Sequence, residues 1–300
     1  MAERRAIDEP MILPSRYNLA LARAAFRGIK RGRRALGRSD DVARVERGGL
    51  EWELDLREGL DLTIYVTGMF QRFVVGACRR WLRPGDVAID VGANMGAHTL
   101  HLARAVGREG KVIAIEPTAY PFSRLLRNLA LNPELAARTM AIQAFVVSDY
   151  ARDIPETLQS SWPVDGFRPD QHPIHMGAGQ TTEAAVKLKL DDLISKIGRD
   201  RIDLIKLDVD GAEWEVLSGA NALLDRFHPT IVIEVAPFVL KEFGVDTREM
   251  LGSMVSRGYR FESLRGKKLD SRGFRWLSWI PNGFSRDVVA VHESRAVSKS

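Results

Sequence analysis

The sequence predicts an α/β fold: a doubly wound, Rossmann-like sheet with a closing antiparallel hairpin and a basic N-terminal extension. Three observations support this prediction. Short apolar runs alternate with helix-like segments between residues 87 and 257. Several of those runs are apolar through most of their length, which is typical of strands buried on both faces of a parallel sheet. A glycine-bearing turn joins the first run to a helix, where sheets of this kind bind ligands.

Composition and charge restrict the class of protein. Three hundred residues with 45% apolar side chains suit one large α/β domain with extensions, or two small domains. The single cysteine, Cys78, excludes an internal disulfide framework and a thiolate metal cluster, and it fits a reducing compartment. No apolar run reaches the roughly 18 residues that a membrane span needs, and no secretory apolar region follows Met1. We therefore expect a cytoplasmic protein without a transmembrane segment.

Residues 1–48 are predicted to form a basic, partly helical extension, and residues 49–300 the main domain. The net charge is +5, and the extension carries a cluster of cations over residues 23–38. Apolar residues in the same stretch have approximately helical spacing: Leu19, Ala22, Phe26 and Ile29. One interpretation is an amphipathic helix that makes weak peripheral contact with a membrane, a polyanionic glycan or nucleic acid. The other is a solvated or packed arm. Because no aromatic residues interleave with the arginines, we expect no nucleic-acid partner.

The strands and helices follow in order along the main domain. Trp52–Leu56 alternates as a half-buried strand does, Thr63–Val66 is predicted to continue the same small sheet, and Phe70–Leu82 is predicted to be helical. The main strands are predicted at Val87–Val91, Val112–Glu116, Ile142–Val147, Asp203–Asp208 and Ile231–Val235. The helices between and after them are predicted at His98–Val106, Pro121–Asn132, Glu213–Leu224 and Thr247–Arg257. The closing hairpin is predicted from the runs Tyr259–Leu264 and Asp287–His292.

Two segments interrupt this alternation of strands and helices. Residues 150–184 are rich in proline, glycine, serine and histidine and have no clear period, but their aromatic residues favour an ordered lid over a linker. Residues 265–286 form an aromatic insertion that contains Phe274, Trp276 and Trp279. These rings are interpreted either as a platform for a sugar or as packing against the core or a second subunit, so a homodimer is plausible.

The turn after the first main strand points to the cofactor. Asp90-Val91-Gly92-Ala93-Asn94-Met95-Gly96 leads into a helix, and Glu116 ends the next strand about 20 residues later, where an acid normally binds the two hydroxyls of a ribose. A dinucleotide fingerprint would need a middle glycine, which this turn lacks. A carboxylate at Asp90 would repel a pyrophosphate, whereas it would attract the cationic methionine part of S-adenosylmethionine. The turn therefore favours S-adenosylmethionine over a nicotinamide dinucleotide.

Several motifs occur together in one order: Asp90–Gly96, Ile115-Glu116-Pro117, Val147-Ser148-Asp149, Ile205–Glu213 and Ile233-Glu234-Val235. In this combination the chain resembles the FkbM-type family of S-adenosylmethionine-dependent methyltransferases over about residues 50–264. The resemblance implies the class I methyltransferase fold and methylation of hydroxyl oxygens on sugars or natural products. It also implies cofactor-binding roles: the methionine portion on Asp90, Gly92, Asn94 and Gly96, the ribose on Glu116, and the adenine near Asp149. Neighbouring residues complete the predicted cofactor site: Ala93, His98 and Ser148.

Carboxylates at the ends of two neighbouring strands are the candidate catalytic groups. Asp208 and Glu234 should stand side by side there, where either could accept the proton of an acceptor hydroxyl. A second interpretation adds Asp210 and Glu213 and has these oxygens bind a divalent cation such as Mg²⁺ or Ca²⁺. In a third, Lys206 simply pairs with a buried carboxylate. His175 in the lid is a further candidate base or substrate donor. No dedicated metal ligand is assigned, and Mg²⁺ remains an alternative cofactor.

The predicted function is therefore S-adenosylmethionine-dependent O-methylation of a small-molecule or glycan acceptor. Two alternatives belong to other classes: a nicotinamide-dependent oxidoreductase, and a catalytically silent glycan- or membrane-associated binding module of the same fold. Methylation of nitrogen instead of oxygen also stays open, because nothing in the sequence excludes an amine acceptor.

Overall fold

The computed structural model describes residues 15–172, 176–198 and 200–296. The strands are β1 Val42–Arg47, β2 Leu50–Asp55, β3 Val87–Val91, β4 Lys111–Ile115, β5 Thr139–Ile142, β6 Ala144–Val146, β7 Thr157–Ser161, β8 Ala178–Thr181, β9 Val186–Leu188, β10 Leu204–Leu207, β11 Thr230–Val235, β12 Tyr259–Ser263 and β13 Arg286–His292. The α-helices are α1 Ser15–Ala35, α2 Gly59–Thr67, α3 Arg72–Trp81, α4 Thr99–Ala105, α5 Ala119–Leu131, α6 Pro133–Ala136, α7 Leu190–Lys196, α8 Glu213–Ser218, α9 Asn221–Phe227, α10 Pro237–Glu242, α11 Thr247–Ser256 and α12 Glu293–Ala296.

A seven-stranded sheet forms the centre of the molecule, in the order β12-β13-β11-β10-β3-β4-β5. The strands from β11 to β5 are parallel, and β13 inserts antiparallel between β11 and β12. Because the chain winds outward in both directions from β3, the carboxyl ends of β3 and β10 meet at the point where the strand order reverses. The fold is the doubly wound α/β sheet with a closing antiparallel hairpin that the sequence predicts.

The sheet is buried on both faces, as the apolar strand sequences indicate. All five residues of β3 are buried, including Asp90, and β10 is buried throughout. Side chains on one face of β3 pack with those of α7, α9 and α11, whereas Ala88 on the other face packs against α3 and α4. A charged residue within such a strand is costly unless it is paired, so Asp90 and Lys206 stand out as groups that need a functional explanation.

Two predicted strands are wrong. Thr63–Val66 belongs to α2, because Leu62 and Ile64 of this helix bury against the β1–β2 hairpin and tertiary packing overrides the strand propensity of the run. Ile142–Val147 is not one strand: β5 ends at Ile142, and the chain then leaves the main sheet so that β6 pairs with β9.

The predicted helix Glu213–Leu224 is interrupted between α8 and α9. At Gly219 a Cβ atom would lie 2.4 Å from the carbonyl oxygen of Val147, so the chain passes too close to another backbone segment for a side chain. The remaining main strands and helices lie within three residues of their predicted bounds.

The basic segment near the N-terminus is helical and packs on the domain. Phe26 is buried, and Ala22 and Ile29 lie against the same apolar cluster as the β1–β2 hairpin. Strands β1 and β2 pair across residue 48, so one hairpin joins the predicted extension to the predicted main domain. Among the described residues, no helix is both long and apolar enough to cross a membrane.

The two interrupting segments are ordered differently. Residues 150–184 contain the antiparallel hairpin of β7 and β8. Residues 265–286 contain a short 3-10 helix, Arg275–Trp279, in which Trp276 is buried and its ring lies 6.2 Å from that of Phe261. Phe274 packs on the same ring at 6.0 Å. These two aromatic residues therefore belong to the core, while Trp279 is only partly buried.

Replacement of Trp276 by alanine tests this placement. The substitution removes a fully buried indole, so the free energy of unfolding should fall by about 3–5 kcal/mol. Trp279→Ala is the matched control, since it removes the same ring from a half-buried position and should cost less. Denaturant titration of both variants measures the difference. Equal losses would place both rings in the same environment and contradict the assignment.

Candidate cofactor and catalytic site

The turn after β3 needs glycine for steric reasons. Gly92 has a φ of +80°, and a Cβ there would lie 1.8 Å from the carbonyl oxygen of Asp208. The amides of Gly92 and Ala93 both donate to the carbonyl of Ile115, each at 3.0 Å. Asn94 also has a positive φ of 47°. The backbone of this turn is thus fixed between the ends of β4 and β10, where a bulkier residue at position 92 would not fit.

Asp90 and Lys206 form a buried polar pair beneath the turn. Lys206 Nζ lies 3.7 Å from Asp90 Oδ1 and donates to the Gly92 carbonyl at 3.2 Å. Thr99 donates its hydroxyl to Asp90 Oδ2 at 2.6 Å, while Oδ1 has no hydrogen-bond partner. Burial raises the pKa of Asp90, and Lys206 and Thr99 counteract this rise. An unpartnered carboxylate oxygen at this depth suits a cationic ligand group that completes its contacts.

Glu116 lies at the end of β4 and is also buried. Its Oε2 accepts the Asn94 amide at 2.9 Å, and its Oε1 accepts the amide of Thr118 at 2.9 Å together with the Thr118 hydroxyl. Burial raises the pKa of Glu116 against these hydrogen bonds. The structure therefore brings Asp90, Asn94 and Glu116 together around one turn, as expected from their spacing in the sequence.

The lid segment covers this turn. Asn94 Nδ2 donates to the Ser160 carbonyl at 3.0 Å, and the hydroxyls of Ser160 and Thr118 are also 3.0 Å apart. At the end of β7, within the lid, Ser161 donates its hydroxyl and Trp162 its backbone amide to the carboxylate of Glu58. Farther along, His172 Nε2 lies 3.2 Å from Glu242 in α10. The lid thus spans the carboxyl edge of the sheet from α2 to α10. His175 lies outside the described residues.

The remaining predicted cofactor residues occupy different environments. His98 is buried edge-on to Phe70 with ring centroids 5.8 Å apart, and burial, with the charge of Lys206, lowers its pKa well below the ordinary value, so the imidazole is neutral. Ser148 donates its amide and its hydroxyl to Glu215, both at 2.7 Å. Asp149 is exposed and accepts the amide of Ala151. Ala93 and Gly96 are buried within the turn.

Three carboxyl groups converge beside the Asp90–Lys206 pair. Oxygens of Asp208, Asp210 and Glu234 all lie within 4.8 Å of one another, and the three residues are partly exposed. Lys206 Nζ is 3.2 Å from Asp208 Oδ2. When carboxyl groups lie this close together, ionisation of one raises the pKa of its neighbour. The expected juxtaposition of Asp208 and Glu234 is present.

The surroundings of these carboxyl groups determine which of them ionises most readily. Burial alone would raise the pKa of Asp208, but the charge of the adjacent Lys206 lowers it. Burial raises the pKa of Glu234 well above its ordinary value, and the charges of Asp208 and Asp287 add to the rise. Burial likewise raises the pKa of Asp210, together with the neighbouring Asp208. Of the three carboxyl groups, Asp208 is therefore the most readily ionised, and Glu234 and Asp210 hold their protons more tightly.

The residues present fit a cationic adenosine cofactor. The ammonium of Lys206 lies between Asp90 and Asp208, and Asp210 and Glu234 lie beside Asp208. Asp90 Oδ1 is 3.7 Å from that ammonium and has no hydrogen-bond partner, so a further cationic group would complete its contacts. A sulfonium and an α-ammonium group would supply that charge, whereas the phosphates of a dinucleotide would be repelled.

The strand order and the glycine turn between β3 and α4 define a class I methyltransferase fold. A sequence profile of the Methyltransferase FkbM domain matches residues 90–261, more than half of the chain. The chain belongs to the FkbM methyltransferase family, and it is therefore an S-adenosylmethionine-dependent methyltransferase.

Individual relatives agree with this assignment. Methyltransferase sdnD of Sordaria araneosa is 28% identical over 191 residues, covering 53% of this chain and 73% of that protein. The 31-O-demethyl-FK506 methyltransferase FkbM of Streptomyces tacrolimicus is 30% identical over 161 residues, covering 47% of this chain and 61% of that protein. The chain thus matches less than two thirds of the length of the second relative.

Solved structures also align with the fold. An O-methyltransferase from Bacillus cereus in complex with SAH has a TM-score of 0.43 at 14% identity, covering 74% of this chain and 80% of that chain. The methyltransferase FkbM from Methylobacillus flagellatus KT has a TM-score of 0.40 at 15% identity, covering 71% of this chain and 49% of that chain.

Sequence reasoning missed several residues that hold the site. Thr118 and Ser160 position Glu116 and Asn94, and Glu58 anchors the lid, yet each is an ordinary residue in a loop or near a helix start. Ser285 of the aromatic insertion donates its hydroxyl to Glu234. The signal available in the sequence was the alternation of Lys206, in β10, with Asp208, directly after its end, which places both side chains on the same face.

The stability of the loop after β10 should depend on the protonation of Glu213. Burial raises the pKa of Glu213 from 4.5 to about 7, although its Oε1 accepts the amides of Val209 and Gly211. Because the folded state holds this proton more tightly than the unfolded state, stability should fall as pH rises from 4.5 to about 7. Glu213→Gln keeps a hydrogen-bond acceptor but has no ionisable group. The difference in free energy of unfolding, variant minus native chain, should therefore increase by ~3 kcal/mol between pH 4.5 and about 7.

Thermal or denaturant unfolding over the same pH range measures this difference. Glu249→Gln is the matched control, because it makes the same substitution at an exposed position. Parallel pH profiles for Glu213→Gln and the native chain would contradict the burial of an ionisable group at this position.

Proposed function

We propose that this methyltransferase transfers a methyl group to a hydroxyl oxygen of a sugar or a sugar-bearing or natural-product metabolite. One observation carries the proposal: Asp208, a partly exposed carboxylate, lies at the strand ends between the ammonium of Lys206 and the carboxyl group of Glu234. An alcohol is a poor nucleophile until a base removes its proton, so a carboxylate held ionised at this point serves oxygen methylation. The relative named as a 31-O-demethyl-FK506 methyltransferase supports the same reaction class.

We assign the cofactor contacts from the resemblance of these motifs to those of the family. We assign the methionine portion to Asp90, Gly92, Asn94 and Gly96, and the ribose to Glu116. Ala93 and His98 flank the same turn, and the adenine end is assigned to Ser148 and Asp149. Bound S-adenosylmethionine supplies an activated methyl group on a sulfonium leaving group.

The residues of this chain then perform two tasks. Asp208 accepts the proton of the acceptor hydroxyl on a carboxylate oxygen, while Lys206 keeps that carboxylate ionised and oriented. Glu234, protonated in the resting site, donates a hydrogen bond to Asp208 and fixes its rotamer. The lid excludes water by covering the glycine turn through Ser160, and His175 within the lid remains a candidate contact to the acceptor.

A metal-assisted variant uses the same three carboxyl groups. Asp208, Asp210 and Glu234 offer oxygen ligands within 4.8 Å of one another, and such a set could bind Mg²⁺ and orient a diol. Turnover that survives a chelator would favour the base, whereas turnover restored by Mg²⁺ would favour the metal.

Cys78 is a free thiol buried in the core, which supports a location in the reducing cytoplasm. A homodimer stays a prediction.

Asp208→Asn should separate chemistry from binding. The amide keeps the shape of the side chain but cannot take a proton, so kcat should fall by about 10²–10⁴-fold while cofactor affinity stays within a few-fold. The measurement is transfer from methyl-labelled cofactor to a panel of hydroxylated acceptors, with calorimetry of S-adenosylhomocysteine in parallel. Asp200→Asn, at an exposed surface pair, is the control. Full turnover in Asp208→Asn would refute the role of Asp208.

Asp90→Asn and Glu116→Gln should weaken cofactor binding. Each removes a buried charge that is assigned to a polar or cationic part of the cofactor, so the Kd for S-adenosylmethionine should rise by about 10–100-fold. Calorimetry with S-adenosylmethionine, S-adenosylhomocysteine and NAD measures this, with the melting temperature of each variant checked first. Tight binding of NAD by the native chain would instead favour an oxidoreductase, and binding of the cofactor without any transfer would favour a silent binding module.

A further inference from the structure

Helix α1 presents two very different faces. Phe26, Ala22 and Ile29 pack on the domain, and Phe26 is only 5% exposed. The opposite side of the helix faces solvent from residue 20 to the turn after residue 35. The packed face explains why the segment is helical, but it leaves the composition of the solvent face unexplained.

Four arginines line that solvent face; we call them the basic stripe: Arg27, Arg31, Arg34 and Arg38. Arg27, Arg31 and Arg34 are spaced by four and three residues, which places them on one side of α1, and Arg38 lies three residues beyond the end of the helix. All four are exposed, and within the described part of the chain none of their side chains has an ion pair or a hydrogen bond. Helix α1 contains no acidic residue that could neutralise them.

The other cations of the helix behave differently. Lys30 pairs with Asp41 at 2.7 Å, and Arg33 donates to the carbonyls of Asp40 and Val42. Arg23 donates to the Gly166 carbonyl at 3.0 Å. Cations next to the domain are thus satisfied by it, whereas the basic stripe has no such role in the fold.

Two large apolar residues accompany the basic stripe. Leu21, within α1, is 70% exposed, and Leu36, directly after the end of the helix, is 79% exposed. Between residues 20 and 38 the aromatic residue is Phe26, which is buried, so this face offers no ring on which a nucleic-acid base could stack. Unpaired arginines flanked by leucines are typical of helices that lie on an anionic membrane surface.

We propose that the solvent face of α1 docks the protein on the surface of an anionic phospholipid bilayer. The basic stripe contacts lipid phosphates, and Leu21 and Leu36 insert among the head groups. Because Arg23 holds the lid segment at Gly166, docking places the lid beside the membrane. An acceptor carried on a lipid would therefore reach the carboxyl edge of the sheet; this consequence rests on the proposed function, whereas the docking itself does not.

Vesicle sedimentation with the full chain tests the docking. The native protein should pellet with vesicles of phosphatidylcholine mixed with phosphatidylglycerol and stay in solution with phosphatidylcholine alone. Neutralising the stripe with R27Q, R31Q, R34Q and R38Q together should lower the partition coefficient by about 1,000-fold, because each arginine contributes to attraction by the anionic surface. High salt should have the same effect on the native protein, since it screens the attraction.

A matched control variant has the same net charge as the stripe variant. R83Q, R108Q, K196Q and R272Q together remove the same four charges from exposed positions without ion pairs and should leave the partition coefficient nearly unchanged. L21S with L36S should weaken the binding that survives in high salt. Calorimetry with S-adenosylhomocysteine should give the native affinity for every variant, which separates failure of docking from failure of the cofactor site.

Two results would overturn the proposal. One is equal loss of vesicle binding in the stripe variant and the control variant, which would indicate a net-charge effect. The other is the absence of vesicle binding together with stripe-dependent binding of heparin or duplex DNA, which would assign the stripe to a polyanion in solution.

Discussion

The buried ammonium of Lys206 is the contact on which the site depends. It lies 3.7 Å from Asp90 and 3.2 Å from Asp208, and it also donates to the carbonyl of Gly92. It therefore joins β3, β10 and the glycine turn at the point where the strand order reverses. Without a cation at this position, two carboxylates from adjacent strands would face each other in the sheet, and at least one of them would be neutral.

The two carboxylates that contact Lys206, Asp90 and Asp208, lie in different environments. Asp90 is fully buried with an unpartnered oxygen, so it suits a ligand charge that arrives from outside. Asp208 is partly exposed and paired with Lys206, which lowers its pKa, whereas burial raises the pKa of the neighbouring Glu234. In the proposed function, one lysine thus contacts both the carboxylate assigned to cofactor binding and the carboxylate assigned to catalysis.

Much of this site follows from local sequence. Lys206, in β10, alternates with Asp208, directly after its end, so both side chains lie on one face. The carboxyl ends of β3, β4, β10 and β11 are close because parallel strands share an edge of the sheet. The assignments that went wrong depended on distant contacts. Residues 63–66 have strand propensity but bury as part of α2, and the chain leaves the sheet after Ile142 because β6 finds its partner in β9, more than 40 residues later.

The sequence by itself determined the doubly wound sheet, the glycine turn and the acids that end its strands, because these depend on periodicity and on steric limits within a few residues. Only the tertiary structure decided which carboxyl group keeps a proton, which aromatic rings enter the core, and which arginines stay unpaired. Those outcomes depend on burial and on partners such as Ser285, Thr118 and Asp41, which lie in separate parts of the chain and are brought close only by folding.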